Sequence, residues 1–330
     1  MAVAPWSSPH ATTAPTFRSA ALAYERVDGR KSSIWVANAD ASHPRRIARL
    51  GYAPSLSPDG RWLTYALPSR GGGLGAVQLV NLVSGKSRPI GHVGVGWSPE
   101  SRRLALLDET GLSVLEITSR RRRIVLKLRN LALGSFDSGG TALTYAQDNG
   151  KAGRARRSDV YTVRLSDRKV NRLTRNGHSD DPTWGGGWIA YRHFRFSNEW
   201  AIGSVRVMRS DGSGDRLIVR GHDDVSQAEQ GIEPVQLSAR GKHLVACLAF
   251  EFGCPPAAFT IPAGRRVRLS FRRNPRTLSA PDGISRDGTE ILVSEDPFES
   301  NLGYHVYVVP FGAGKTRLLL RGARSPSWTR

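Results

Sequence analysis

The chain has few cysteines, few lysines and no long apolar run. Cys247 and Cys254 are the only cysteines in 330 residues, and no second Cys or His pair lies nearby to complete a zinc site. They flank "LAFEFG" between two expected strands, so a hairpin would bring them within disulfide range. The competing reading is one buried thiol on a strand and one in a turn. No stretch approaches 18 apolar residues, so no transmembrane helix is expected. The opening "MAVAPWSSPHATTAPTF" lacks the basic and apolar regions of a signal peptide and reads as a disordered leader over residues 1–16. G-x-S-x-G is absent, and "FGAGKT" at 311–316 has Val309 where a phosphate loop needs glycine. Serine-nucleophile and nucleotide chemistry are therefore not expected. Acidic side chains are scarce as well, 28 against 48 basic ones, leaving a net charge of +20. Only 7 of the basic residues are lysine and 41 are arginine. Arginine forks suit phosphates and carboxylates, although a solvated rim explains the same composition.

What the chain has in abundance is turn punctuation, with 35 glycines and 19 prolines spread throughout. They mark a repeat. "PSLSPDGRWLTYA" at 54–66 returns as "GVGWSPESRRLALL", "LGSFDSGGTALTYA" and "DPTWGGGWIAYRH". Weaker copies are "PVQLSARGKHLVACLA", "PDGISRDGTEILVSE" and the terminal "SPSWTR". Aligned on the residue before the turn, the copies fall at Leu56, Trp97, Phe136, Trp184, Leu237, Ile284 and Trp328, with intervals of 39 to 53 residues. That period is too long for one hairpin and suits a four-stranded blade. Pro58 presets the turn, Asp59 tolerates its third position, and Gly60 takes the left-handed conformation that closes it. "RWLTYA" then runs back with the period of two expected of a strand.

A second landmark, a polar turn followed by a basic residue and a last strand, also occurs seven times, from "NADASHPRRI" to "VPFGAGKTRL". Seven first strands, seven second strands and seven closing turns are expected, but the series begins at a second strand and ends at a first. The phase offset predicts an all-β, seven-bladed β-propeller over 17–330, with "SPSWTR" donated to the N-terminal blade beside residues 20–27. Such donation would hide two sheet edges. Six blades are the alternative, if the copies at 237 and 284 form one irregular unit.

These landmarks resemble the TolB-like, WD-repeat-like propeller family, whose repeats read roughly Pro-x-Trp-Ser-Pro-Asp-Gly-x-x-Leu-Ala-Phe followed by a strand and Arg-Leu-Thr. The likeness is strongest at 54–66, 95–107 and 171–184 and extends to the propeller part of TolB only. It implies a bacterial binding scaffold and an extracytoplasmic location, whereas the residues themselves, with no signal peptide, leave the compartment open; a monomer is expected. Related propellers include peptidase accessory domains and lyases, so fold alone does not choose a function.

Two clusters in the connections between blades carry candidate chemistry, "GHSDD" at 177–181 and "GHDD" at 221–224. His178, Asp180, Asp181, His222, Asp223 and Asp224 are expected on the face where the channel opens. The primary reading assigns them to a binding surface without cofactor. The alternative is a divalent-metal site made by His178, Asp181, His222 and Asp224, serving a metal-assisted lyase or hydrolase on an acidic polysaccharide. An insertion at 192–204, expected as a lengthened loop, adds Arg192, Phe194, Arg195, Phe196 and Trp200 as interface anchors. The partner expected is a protein or an anionic polymer. Arginines gathered on the opposite turns (Arg61, Arg102, Arg103, Arg120 to Arg123, Arg240, Arg265, Arg266) would also attract nucleic acid. That reading is not favoured, because no base-stacking platform accompanies the charge.

Overall fold

The computed structural model describes residues 20–329 except 30, 70–72, 92–93, 151–156, 198–199, 222–228, 251–253, 273–276 and 298–302. The leader expected at 1–16 and the cluster at 222–224 lie outside the described residues. Among those described there is no helix, and nothing long and apolar enough to cross a membrane as one. The chain is all β.

Strands are numbered in chain order. The first sheet joins β1 (Leu22–Asp28), β2 (Lys31–Ala37) and β3 (Arg45–Ala48) to the last strand, β28 (Ala323–Trp328). Next come β4 (Tyr52–Leu56), β5 (Trp62–Pro68), β6 (Leu74–Asn81) and β7 (Ser87–Gly91), then β8 (Gly94–Trp97), β9 (Arg103–Asp108), β10 (Gly111–Glu116) and β11 (Arg122–Leu126). The fourth sheet holds β12 (Leu131–Phe136), β13 (Ala142–Asp148), β14 (Ser158–Arg164) and β15 (Val170–Arg172). An eight-stranded sheet follows, comprising β16 (Ser179–Gly185), β17 (Trp188–Ser197), β18 (Trp200–Arg209), β19 (Arg216–Val219), β20 (Glu229–Leu237), β21 (His243–Phe250), β22 (Pro256–Thr260) and β23 (Arg266–Val267). The last sheet is β24 (Thr277–Ile284), β25 (Glu290–Pro297), β26 (His305–Pro310) and β27 (Arg317–Arg321). Neighbours within these sheets pair antiparallel, except where β18 meets β20 through one parallel pair, Gly203 with Gly231.

The repeat motif explains how each sheet is made and how it grips the next. Gly60, Gly140, Gly186, Gly241 and Gly288 all have positive φ, as the turn requires. The second copy, "SPES", puts Ser101 there instead, at φ 62°, and its hydroxyl accepts a hydrogen bond from the Asp59 amide at 2.9 Å. Gly60 also serves packing. A Cβ there would lie 2.1 Å from the Ala20 carbonyl oxygen, because the Ala20 amide donates to the Gly60 carbonyl.

Because both faces of the inner strands are covered, the second strands read as nearly continuous apolar runs. Among the described residues the core divides into seven clusters, each straddling two successive groups of strands. One joins Ile34 to Leu63, the next Leu79 to Leu104, and the circuit ends where Leu292 and Val306 of the last sheet meet Leu22 and Tyr24 of the first. The inner strands are also linked across sheets. Ser327 Oγ accepts from the Leu56 amide (2.9 Å), Ser135 Oγ from the Trp184 amide (2.6 Å) and Gln236 Oε1 from the Ile284 amide (3.0 Å).

The structure corrects one expectation. Residues 192–204 do not form a lengthened loop, because β17 and β18 are ten-residue strands paired from Trp188–Arg209 to Ser197–Trp200. The extra residues keep strand alternation, so they extend the hairpin.

Candidate functional site

The connection into β16 is fixed from below by Asp159 on β14. Its Oδ1 accepts from Thr174 Oγ1 (2.9 Å) and the Gly177 amide (3.1 Å), and its Oδ2 pairs with Arg172 at 2.6 Å. Gly177, at φ 72°, turns the chain beside the Arg157 side chain. Asn176 Oδ1 then accepts from the His178 amide (2.8 Å) and Ser179 Oγ (3.0 Å). A side chain closing its own turn in this way is what a short amide-bearing residue supplies. His178 is thereby held at the head of the strand.

Arg192 is the hub of the site. Its Nε and Nη2 donate to the two oxygens of Asp180 at 2.7 and 2.8 Å, a bidentate fork. Asp181 adds an ion pair to Nε at 3.1 Å, and Glu233 of β20 binds Nη1. The Asp180 side chain is fully buried. Burial works against the charge on Arg192, but the Asp180 hydrogen bonds and the charges of Asp181, Asp180 and Glu233 outweigh it and raise its pKa. Asp181 reaches its partner from an unusual backbone. Its φ is 47°, as at Ala53 (49°) and Ser325 (48°), each just before the proline of the repeat. Residues before proline ordinarily stay extended, so this left-handed kink is a built bulge in the inner strand, where register also shifts between Asp180 and Thr183.

Beside this network lies an aromatic stack. The His178 ring meets Phe194 edge-on with centroids 5.5 Å apart, Phe196 at 6.3 Å and His193 at 6.5 Å. His178 Nδ1 is buried without a hydrogen-bond partner. Burial, followed by the charges of Arg206 and His178, lowers the pKa of His193, which favours its neutral form near neutrality. Phe194 is 1% exposed and Phe196 44% exposed, so Phe194 backs the surface and Phe196 presents it. Arg195 is exposed beside them.

The structure thus brings together His178, Asp180, Asp181, Arg192, Phe194 and Phe196. Trp200 lies on β18, and His222, Asp223 and Asp224 lie outside the described residues. Among those described, no group of three His, Cys, Asp or Glu side chains is arranged to hold a metal. Glu233 lies in the segment 226–234, expected from sequence to adjoin this face, although its pairing with Arg192, 41 residues away, has no local pattern. His193 follows Arg192 directly and is legible as the next position of the same strand. Cys247 and Cys254 are joined as a disulfide, with Cα atoms 5.0 Å apart.

The β-propeller domain of the Trilobed protease from Pyrococcus furiosus superposes with a TM-score of 0.66 at 11% identity, covering 94% of this chain and 97% of that one. An oligogalacturonate lyase in complex with manganese gives 0.62 at 12% identity, covering 93% and 86%. The fold is a TolB-like β-propeller. TolB from Acinetobacter baumannii gives 0.51 at 15% identity, covering 94% of this chain and 66% of TolB. The propeller spans just under two thirds of that TolB chain. No family model matches the sequence, and no curated protein matches it. At these identities the likeness is one of fold.

Proposed function

We propose that the protein is a non-enzymatic binding propeller, a single seven-bladed domain over 17–330. In this reading it engages a protein or an anionic ligand across the face formed by 178–181, 192–200 and 222–234. The observation that carries the binding surface is the pairing of an exposed Phe196 with a buried Phe194 and His178 beneath it. An aromatic held rigid from behind loses little conformational freedom on binding, the usual property of an interface anchor. The exposed Arg195 beside it suits carboxylates or phosphates.

Seven blades are supported by the seven core clusters and by reading the eight-stranded sheet as two blades bridged at Gly203 and Gly231. Closure by the last strand is supported by the pairing of β28 with β1, Leu22 opposite Trp328 and Arg26 opposite Ala323. The Pyrococcus propeller, by contrast, has an open velcro topology. A disulfide favours an oxidising compartment.

A photoreactive residue in place of Phe196 tests the surface. It should cross-link a partner that the same residue at Val83, exposed on a turn between β6 and β7, does not capture. Equal capture at both positions refutes the reading. The second reading, a metal-assisted lyase or hydrolase on an acidic polysaccharide, draws on the unpartnered Nδ1 of His178. It requires manganese binding that His178→Ala and His222→Ala abolish, together with cleavage of polygalacturonate.

A further inference from the structure

Away from the His178 cluster, the inner strands enclose a cavity of about 1270 Å³ that runs to the turn end of the channel, past Arg240 and Arg286. This exceeds the roughly 300–1,000 Å³ of ordinary small-molecule sites. Trp97, Trp184 and Trp328, each half-buried, reach its wall from three different sheets.

The polar groups on that wall are oriented by the fold. Ser135, Ser327 and Gln236 each accept a backbone amide from the neighbouring inner strand. Each is anchored by that bond and keeps donors for the channel, two hydroxyl hydrogens and a carboxamide NH2, together with a second lone pair on each oxygen. Asp282 adds a carboxyl group. It accepts from Ser294 Oγ at 2.7 Å and reaches the channel from β24, whose neighbours β20 and β28 carry Gln236 and Ser327.

We propose that this cavity is a saccharide-binding site. A sugar ring has apolar C–H faces for the indoles and hydroxyls that donate and accept at once, as do Ser135, Ser327, Gln236 and the Asp282 carboxyl. Other ligand classes leave part of the wall unmatched. A simple cation offers nothing to the hydroxyl and NH2 donors, a small anion leaves the indoles unused, and a hydrocarbon strands every polar group. The site shares no residue with the Phe196 face, so it stands independently of the surface proposed above.

The test is titration of the full chain with maltotriose, cellotriose and chitotriose, read by tryptophan fluorescence and calorimetry. At least one should bind saturably. Asp282→Asn and Gln236→Glu preserve shape while replacing the carboxyl by an amide or removing the NH2 donors, and each should weaken binding about tenfold. Circular dichroism establishes that both variants fold, and Phe196→Ala should bind as the unaltered chain does. The absence of a saturable response to all three sugars at millimolar concentration overturns the proposal, as does unchanged affinity in both folded cavity variants.

Discussion

Arg192 shows how much one residue can hold. Its three carboxylate partners come from β16 and β20, so removing it leaves acids facing one another in a poorly solvated place. Arg192→Ala should lower unfolding stability by about 3–5 kcal/mol in urea titration. Arg192→Lys should recover only part of that, since an ammonium cannot reproduce the fork on Asp180. Asp282 makes a prediction of opposite kind. It lies deep in the molecule; burial, with the nearby Asp296 and Glu25 charges, pushes its pKa up to about 8 against the lowering effect of the Ser294 hydrogen bond, while channel water works against the rise. Because the folded state then holds a proton that the unfolded state releases near its ordinary value of 3.8, Asp282's contribution to stability is complete in acid and declines as pH climbs through that interval towards 8. Melting temperature followed across pH should show this decline, and Asp282→Asn should flatten it. At this scale the sequence was only partly readable. His178, Asp180, Asp181 and Arg192 stand out in sequence and the segment 226–234 is expected beside them, but nothing local pairs Glu233 with Arg192 or marks Asp282 as an inward-facing acid.

Among elements, the repeat was the most legible feature, because turn chemistry and strand alternation recur together. The copies at Leu237 and Ile284 looked weak for a physical reason. Each lacks the Trp and carries one extra residue between proline and the apolar position, which displaces the motif in an alignment. The inner strand itself is kept, with a register shift like those of the clearer copies at Tyr52–Ser55 and Asp180–Thr183. The insertion at 192–204 reads as loop because it lengthens one repeat, whereas strand alternation continues through it, burying Phe194 and sending Arg192 to its carboxylates. Turn packing yields a paired prediction. Gly60→Ala should destabilise clearly more than Gly29→Ala in thermal melts, since both have positive φ but only Gly60 has a carbonyl oxygen where the methyl would go. Replacing Cys247 and Cys254 by serine should cost about 2.5 kcal/mol, the loop-closure entropy of a cross-link with sequence separation 7, measured as the shift in urea midpoint times the slope.

The whole molecule depends on contacts between its first and last described strands. Glu25 on β1 accepts from Ser32 Oγ (2.6 Å) and the Ala53 amide (2.8 Å), and pairs with Arg324 of β28 at 3.1 Å. Arg324 also reaches Asp296 of the last sheet at 3.8 Å. Deleting residues 323–330 should therefore abolish cooperative unfolding, whereas deleting 1–16 should leave the melt nearly unchanged; equal tolerance of the two deletions would defeat the role given to β28. The phase offset of the repeat made this pairing legible from sequence, because a series that starts on a second strand and stops on a first has one partner missing at each end. The same pairing bears on synthesis. β1 leaves the ribosome well before β28, the strand that covers its inner edge. Until Trp328 emerges, that edge stays open to any extended segment nearby, so the interval between the two is when this chain most needs protection from pairing with another copy of itself.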